Sequence, residues 1–192
     1  MNNRLPAPRF RERWLALQLQ GGALIGYPTE TVFGIGCDAR NAEAVAAIAA
    51  IKKRARGKGL ILVAAHPDLL RDWVDCSPAQ WRKACATWPG PVTWVFPAAR
   101  PNGHEVAAPL RAGDGTVAVR VSPHPLVQRL SQALGGPLVS TSANRRGRTP
   151  ARNVWVLRQQ LGHELDFVLD GSPGSGRPSR VMEGRTGRVL RG

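Results

Sequence analysis

Asn41-Ala-Glu-Ala-Val45-Ala-Ala-Ile48-Ala-Ala-Ile51-Lys52-Lys53-Arg54-Ala55-Arg56-Gly57-Lys58-Gly59-Leu60-Ile61-Leu62-Val63-Ala64 is the stretch that decides the fold. Val45, Ile48 and Ile51 recur at helical spacing behind Asn41, whose side-chain oxygen suits an N-cap. Leu60 to Ala64 is a short apolar run after two glycines, the pattern of a buried strand. A helix that feeds a buried strand is the repeating unit of an α/β sheet. Between the two elements lie five cations in seven residues, Lys52 to Lys58. Arginine offers a planar fork of donors and lysine a compact point charge, so together they can clamp several phosphate oxygens. A solvated helix end is the other reading of such a run, because cations also suit the negative end of the helix dipole.

The same alternation extends both ways. Arg9 to Gln20 reads as a helix with Trp14, Leu15, Leu17 and Leu19 on its apolar side, stopped by Gly21-Gly22. Ala23 to Tyr27 is a short strand, and Pro28-Thr29-Glu30-Thr31 breaks the ladder and gathers polar side chains at its carboxyl end, where open α/β sheets build their sites. Gly34, Gly36 and Asp38 read as a continuation of that loop. Downstream, Ser77-Pro78 opens a helix through Trp81 and Cys85, Val92 to Phe96 is a strand, and Pro101 to Gly115 is a long polar loop. Thr116 to Val121 alternates, with Val117, Val119 and Val121 facing one way and Thr116, Ala118 and Arg120 the other. A helix over Pro125 to Leu134, a strand over Leu138 to Thr141, a helix through Val154, Leu157 and Leu161, and strands at Phe167 to Leu169 and Arg188 to Arg191 complete the reading. Residues 142–152 form a loop with four arginines, and 170–180 a glycine-, serine- and proline-rich one. The expected architecture is a mixed sheet with flanking helices in one domain spanning residues 1–192.

Composition narrows the partners. The chain has 192 residues and a formal net charge of +14, which favours anionic partners such as nucleotides or RNA. Only four of the 27 cations are lysine, so the charge argues for a class of partner and not a specific one. No apolar run reaches the roughly 20 residues needed to span a bilayer, and the basic N-terminus lacks the apolar core of a signal peptide, so a cytoplasmic location is expected. Cys37, Cys76 and Cys85 are too few and too scattered for a disulfide framework, and no spacing suggests zinc.

Several motifs fail on inspection. Gly171 to Ser179 has the glycine spacing of a Walker A loop, but Arg177 stands where lysine belongs and Pro178 occupies the hydroxyl position. Backbone donors there remain open to a phosphate. There is no nucleophile elbow, no paired-His zinc motif and no paired-carboxylate motif, and the four histidines are isolated. Positioning and charge neutralisation therefore suit this chain better than acid-base relays.

The motifs gain meaning in combination. Tyr27-Pro-Thr-Glu-Thr-Val-Phe-Gly34, Lys52-x-Arg54 with Lys58-Gly59-Leu60, Trp88-Pro-Gly-Pro-Val-Thr93, Thr116-Val-Ala-Val-Arg120 and Ser140-Thr-Ser-Ala-Asn144 stand in the order and spacing of the YrdC family of threonylcarbamoyl-adenylate synthases, which the chain closely resembles from about residue 10 onward. The resemblance implies a YrdC-like twisted mixed sheet with flanking helices and a basic concave face, in the short bacterial form without an extra C-terminal domain. It also implies a nucleotidyltransferase that joins L-threonine, bicarbonate and ATP, with Mg2+, into threonylcarbamoyl-AMP and pyrophosphate. The product serves the threonylcarbamoyl transferase complex that modifies adenosine 37 of tRNAs.

Matched position by position, Lys52, Arg54, Ser142 and Asn144 fall on the signature residues that grip ATP phosphates, Lys52 and Arg54 being the catalytic pair. Lys58, Thr116 and Arg191 match further ATP-contacting positions. Thr31, Arg120, Ser140 and Ser179 match positions that hold L-threonine. The sequence departs from the family at Ala55, where proline is common, at Val63, where two-domain members carry histidine, at Arg145-Arg146, where small or polar residues are usual, and at Arg180, where Thr or Glu is frequent. The competing class is a non-catalytic module that binds double-stranded RNA or tRNA, or a ribosome-maturation factor. Its affinity should fall steeply with salt and owe nothing to threonine.

Overall fold

In the computed structural model, residues 8–53, 57–103 and 105–192 are described. Among the described residues, nine strands form one mixed sheet. They are β1 (Ile25–Pro28), β2 (Phe33–Gly36), β3 (Ile61–Ala64), β4 (Val92–Pro97), β5 (Thr116–Val121), β6 (Leu138–Ser142), β7 (Phe167–Val168), β8 (Arg180–Glu183) and β9 (Val189–Arg191), and their spatial order is β7-β1-β2-β6-β3-β5-β4-β8-β9. The helices are α1 (Phe10–Gln20), α2 (Ala42–Ile51), the single turn α3 (Asp68–Arg71), α4 (Pro78–Cys85), α5 (Pro125–Leu134) and α6 (Val154–Leu161). The polar loop at 101–115 contains two isolated 3-10 turns, Pro101–Gly103 and Ala108–Leu110.

Local chemistry explains the helix boundaries. Asn41 caps α2 by accepting from the Ala44 N–H at 3.0 Å. Ser77 does the same for Gln80 at α4, with Pro78 in the first turn, where a missing N–H costs nothing. Gly135 ends α5 at φ 65°, a left-handed cap that residues with a Cβ adopt only with strain.

The sheet has two unlike faces. On one, Val117, Val119 and Val121 pack with Phe33, Ile35, Leu62, Trp94 and Phe96 in a continuous core together with residues of α2 and α6. Each such fully buried apolar side chain contributes about 1.5–3 kcal/mol relative to exposure. On the other face, Tyr27, Val63 and Leu138 pack under Leu15 and Leu19 of α1 and Val127, Leu130 and Leu134 of α5. The Arg129 guanidinium joins the two helices, donating to Glu12 at 2.9 Å. Burial pushes the Glu12 carboxyl upward, but Arg129 and the helix-start N–H groups outweigh it and hold it below its ordinary value. These two helices cover one end of their face and leave the remainder to the functional side chains.

Three expectations change. Phe33–Gly36 is a strand rather than loop. Phe33 and Ile35 alternate into the core, while on the opposite side Gly36 leaves room for the Tyr27 ring and Gly34 for the Thr29 methyl and the Thr141 carbonyl, so glycine here serves close packing and not a turn. Arg180–Glu183 is also a strand, recruited by long-range pairing to β4 and β9. On α1 the buried residues are Leu15, Ala16 and Leu19, whereas Trp14 and Leu17 lie on the exposed side with Phe10, which is 86% exposed.

A Cβ at Gly36 would overlap the Val139 carbonyl oxygen and crowd the Tyr27 ring. Gly36→Ala is therefore expected to destabilise the fold by about 2–3 kcal/mol, measured as a lowered urea midpoint at unchanged slope.

Candidate active site

Strand register carries the site to the open face. Ile61 lies opposite both Ser140 and Ala118, and Val63 opposite both Leu138 and Arg120. Directly opposed residues share a face, and so do residues two apart along a strand. Ser140, Ser142, Thr116 and Arg120 consequently project to the same side, as the half-buried alternation of Thr116, Ala118 and Arg120 against buried Val117, Val119 and Val121 also requires. Trp94 pairs with Val119 and Thr93 with Val181, which continues the Arg120 row outward through β4 and β8 to Arg191.

At one end of this face, the C-terminus of α2 delivers Lys52 to the end of β6. Its ammonium donates to the Ser142 carbonyl at 2.7 Å, the Asn144 carbonyl at 2.6 Å and the Asn144 side-chain oxygen at 2.8 Å. The Ser142 hydroxyl donates to the same side-chain oxygen at 2.7 Å. The Asn144 amide then donates to the carbonyls of Arg145 and Arg148 and shapes the loop beyond. Residues 90 apart in sequence thus form one cationic, hydroxyl-bearing corner. Arg54 lies outside the described residues. Gly57 follows at φ 83°, and its carbonyl accepts from Gly113, so the segment bearing Lys58 runs beside the approach to Thr116. The Thr116 hydroxyl donates to Asp114 at 2.7 Å. Arg145 has a structural role that the sequence did not indicate: it anchors its loop to the Gln160 carbonyl at 3.1 Å and to Glu164 at 3.2 Å.

A second cluster surrounds Arg120. Its guanidinium donates to Glu30 Oε2 at 3.1 Å, and the Ser122 hydroxyl donates to Glu30 Oε1 at 2.6 Å. Burial raises the Glu30 carboxyl, yet the Arg120 charge, with Ser122 and the backbone, more than cancels this and keeps it below its ordinary value. Thr31 sits in the same turn between β1 and β2. Segment 171–176 lies across that turn, with Gly174 N–H donating to the Thr29 carbonyl and Gly176 N–H to the Glu30 carbonyl, both at 2.9 Å. A Cβ at Gly174 would come within 2.6 Å of the Glu30 carbonyl oxygen, so only glycine permits this approach. Those two backbone donors are engaged, which corrects the idea that they stand open to a phosphate. Ser179 closes the cluster by accepting from the buried Thr93 hydroxyl at 2.8 Å. Ser140, on β6, lies beside the buried Tyr27 phenol. Burial shifts the phenol upward, against the pull of the Ser140 hydroxyl.

Arg191 stands at the far end of the same row. Five strand spacings along the sheet separate β9 from β6, about 24 Å at roughly 4.8 Å each. Glu30 and Ser122 are the residues that sequence reasoning missed as part of the site. The Glu30–Arg120 contact joins residues 90 apart, and only the folded register reveals it.

Glu30 has a depressed carboxyl in the folded state, so its contribution to stability is present above the ordinary glutamate value of 4.5 and is lost as pH falls below it. The melting-temperature gap between wild type and Glu30→Gln should be constant near neutrality and shrink below about pH 4.5. Calorimetric melts across that range check this.

Comparison with known proteins agrees with this geometry. Residues 18–192 match the Sua5/YciO/YrdC family model, described as "Telomere recombination". The threonylcarbamoyl-AMP synthase of Halorhodospira halophila is 44% identical over 194 residues, covering 100% of both chains. That of Alkalilimnicola ehrlichii is 43% identical over 188 residues, covering 96% of each. Among solved structures, P. abyssi Sua5 complexed with L-threonine superposes with a TM-score of 0.78 at 26% identity, over 93% of this chain and 53% of that one. E. coli YciO shares the fold, with a TM-score of 0.79 at 21% identity over 97% and 91% of the two chains. The mixed sheet and its open polar face are those of the Sua5/YciO/YrdC proteins, and the chain belongs to that family, within its threonylcarbamoyl-AMP synthases.

Proposed function

We propose that this threonylcarbamoyl-AMP synthase works on the open face of the sheet, as a single YrdC-like domain, binding the triphosphate at the Lys52 corner and L-threonine at the Arg120 cluster. The observation that carries the reading is the convergence of Lys52 with Ser142 and Asn144 at one strand end. It gathers positive charge and hydroxyl donors where a polyphosphate needs them. Arg54, Lys58, Thr116 and Arg191 are assigned to the nucleotide, and Thr31, Ser140 and Ser179 to the amino acid. Arg120 receives the threonine carboxylate through its planar fork.

The reaction balances as follows. The threonine amine combines with bicarbonate to give an N-carboxylate and water. A carbamate oxygen then bonds to the α-phosphorus of ATP while the bond to the bridging oxygen breaks and pyrophosphate leaves. Two anions must approach each other, and Lys52 and Arg54 offset their repulsion and the charge of the leaving group. Mg2+, which supplies charge neutralisation on the triphosphate when bound, belongs to the nucleotide in this reading. In this reading its donors are phosphate oxygens and water. The product passes to the threonylcarbamoyl transferase complex for tRNA modification in the cytoplasm. Among the described residues no helix is long and apolar enough to cross a membrane. The full-length synthase relatives favour this reading over the RNA-binding module.

Pyrophosphate release from MgATP should require threonine and bicarbonate together. Lys52→Ala should lower it about 100-fold or more without lowering the melting temperature enough to unfold the protein. Release independent of threonine, or unchanged in Lys52→Ala, would sink the assignment. No release, together with RNA affinity falling steeply with salt, would favour the binding module.

A further inference from the structure

We infer that Glu30 is the receptor for the α-ammonium group of L-threonine, so that the Arg120–Glu30 pair reads the amino acid as a zwitterion. This rests on the proposal that Arg120 holds the threonine carboxylate. An α-amino acid carries its ammonium and carboxylate on the same carbon, so a site that binds one group fixes within narrow limits where the other must be satisfied. Glu30 Oε2 lies 3.1 Å from the Arg120 guanidinium, which puts an anion beside the cation at the spacing a zwitterion needs. The two side chains are only 17% and 14% exposed, so neither charge is screened as on an open surface.

The carboxylate also has capacity to spare. Each of its oxygens can accept two hydrogen bonds. Ser122 fills one position on Oε1, Arg120 one on Oε2 and the Glu30 backbone N–H a third, which leaves one acceptor position for a ligand. The Ser122 hydroxyl is itself held by the His124 backbone N–H at 3.1 Å, so the carboxylate is aimed before any ligand arrives. Its depressed pKa keeps it anionic at neutral pH, which suits holding a cation and does not suit taking a proton. Glu30 therefore acts as a receptor rather than a base. A ligand with a hydroxyl in place of the ammonium could still donate to that acceptor but would bring no charge to balance the carboxylate. The site thus discriminates for the ammonium, whose nitrogen gives up one proton to solvent before it combines with bicarbonate.

The experiment is calorimetric titration of the full chain with L-threonine and with its 2-hydroxy analogue, which keeps the carboxylate and both stereocentres but replaces the ammonium with a hydroxyl. Wild type should prefer threonine. Glu30→Gln, which preserves shape and an acceptor for Ser122, should bind threonine at least about tenfold more weakly and the analogue within about threefold of wild type, so that the preference collapses. Equal loss for both ligands would show that Glu30 works only by holding Arg120, and no loss for either would show that it does nothing for binding. Both results overturn the inference. Arg120→Ala separates this from the underlying site assignment: it should weaken both ligands together, and unchanged binding in that variant would remove the threonine site itself. If Glu30→Gln melts before it can be titrated, Ser122→Ala, which frees Oε1 and leaves the charge in place, should weaken threonine selectively and to a smaller degree. Failure of that selectivity would also overturn the inference.

Discussion

The register of the central strands is the constraint on which the rest depends. Side chains alternate along a strand with a period of two, so the pairing that sends Val117, Val119 and Val121 into the core also sends Thr116 and Arg120 to the open side. A slip of one residue between β3 and β5 would turn Arg120 into the apolar core and expose three valines, a cost far beyond what a domain of this size has to spare. The core therefore fixes the site. Nothing in the functional residues needs to specify their own positions as long as the apolar residues between them are buried.

This coupling explains why so much was legible in advance. The alternation from Thr116 to Val121, the α2 periodicity and the apolar run before Ala64 are strong local signals, and they place Thr116, Arg120, Lys52 and the end of β6 within a sheet without reference to any distant contact. Phe33 to Gly36 was not legible because its signal runs against strand propensity. Two glycines stand there because Tyr27 and the Val139 carbonyl crowd Gly36, and Thr29 and the Thr141 carbonyl crowd Gly34. Arg180 to Glu183 was missed for the opposite reason: its pairing partners supply its structure, and its own composition supplies little.

The site was legible as a set of motifs but not as a set of contacts. Lys52 and Asn144, or Glu30 and Arg120, are each about half the chain apart, and the sequence gives no measure of which motif faces which. The glycine-rich segment at 171–176 is the clearest case. Its spacing suggested phosphate binding, while in the fold its glycines serve close approach to the turn that carries Glu30, with their N–H groups engaged by that turn.

The two ends of the open face differ in how charge is balanced, and this difference suits the two substrates as we propose to place them. The oxygens that Ser142 and Asn144 present to Lys52 are neutral carbonyl and amide groups, so they orient the ammonium without cancelling it. A cation held by such groups suits a polyanion. At the other end Arg120 already faces a carboxylate, and the pair is close to neutral as a unit. A polyanion gains little there, because Glu30 would repel what Arg120 attracts. A zwitterion gains twice, because each of its charges meets its opposite within a few ångströms in a site too enclosed for water to screen it. One face can hold a triphosphate and an amino acid without either occupying the other's place, and the residue that enforces the separation is an acid in a chain that carries twice as many basic residues.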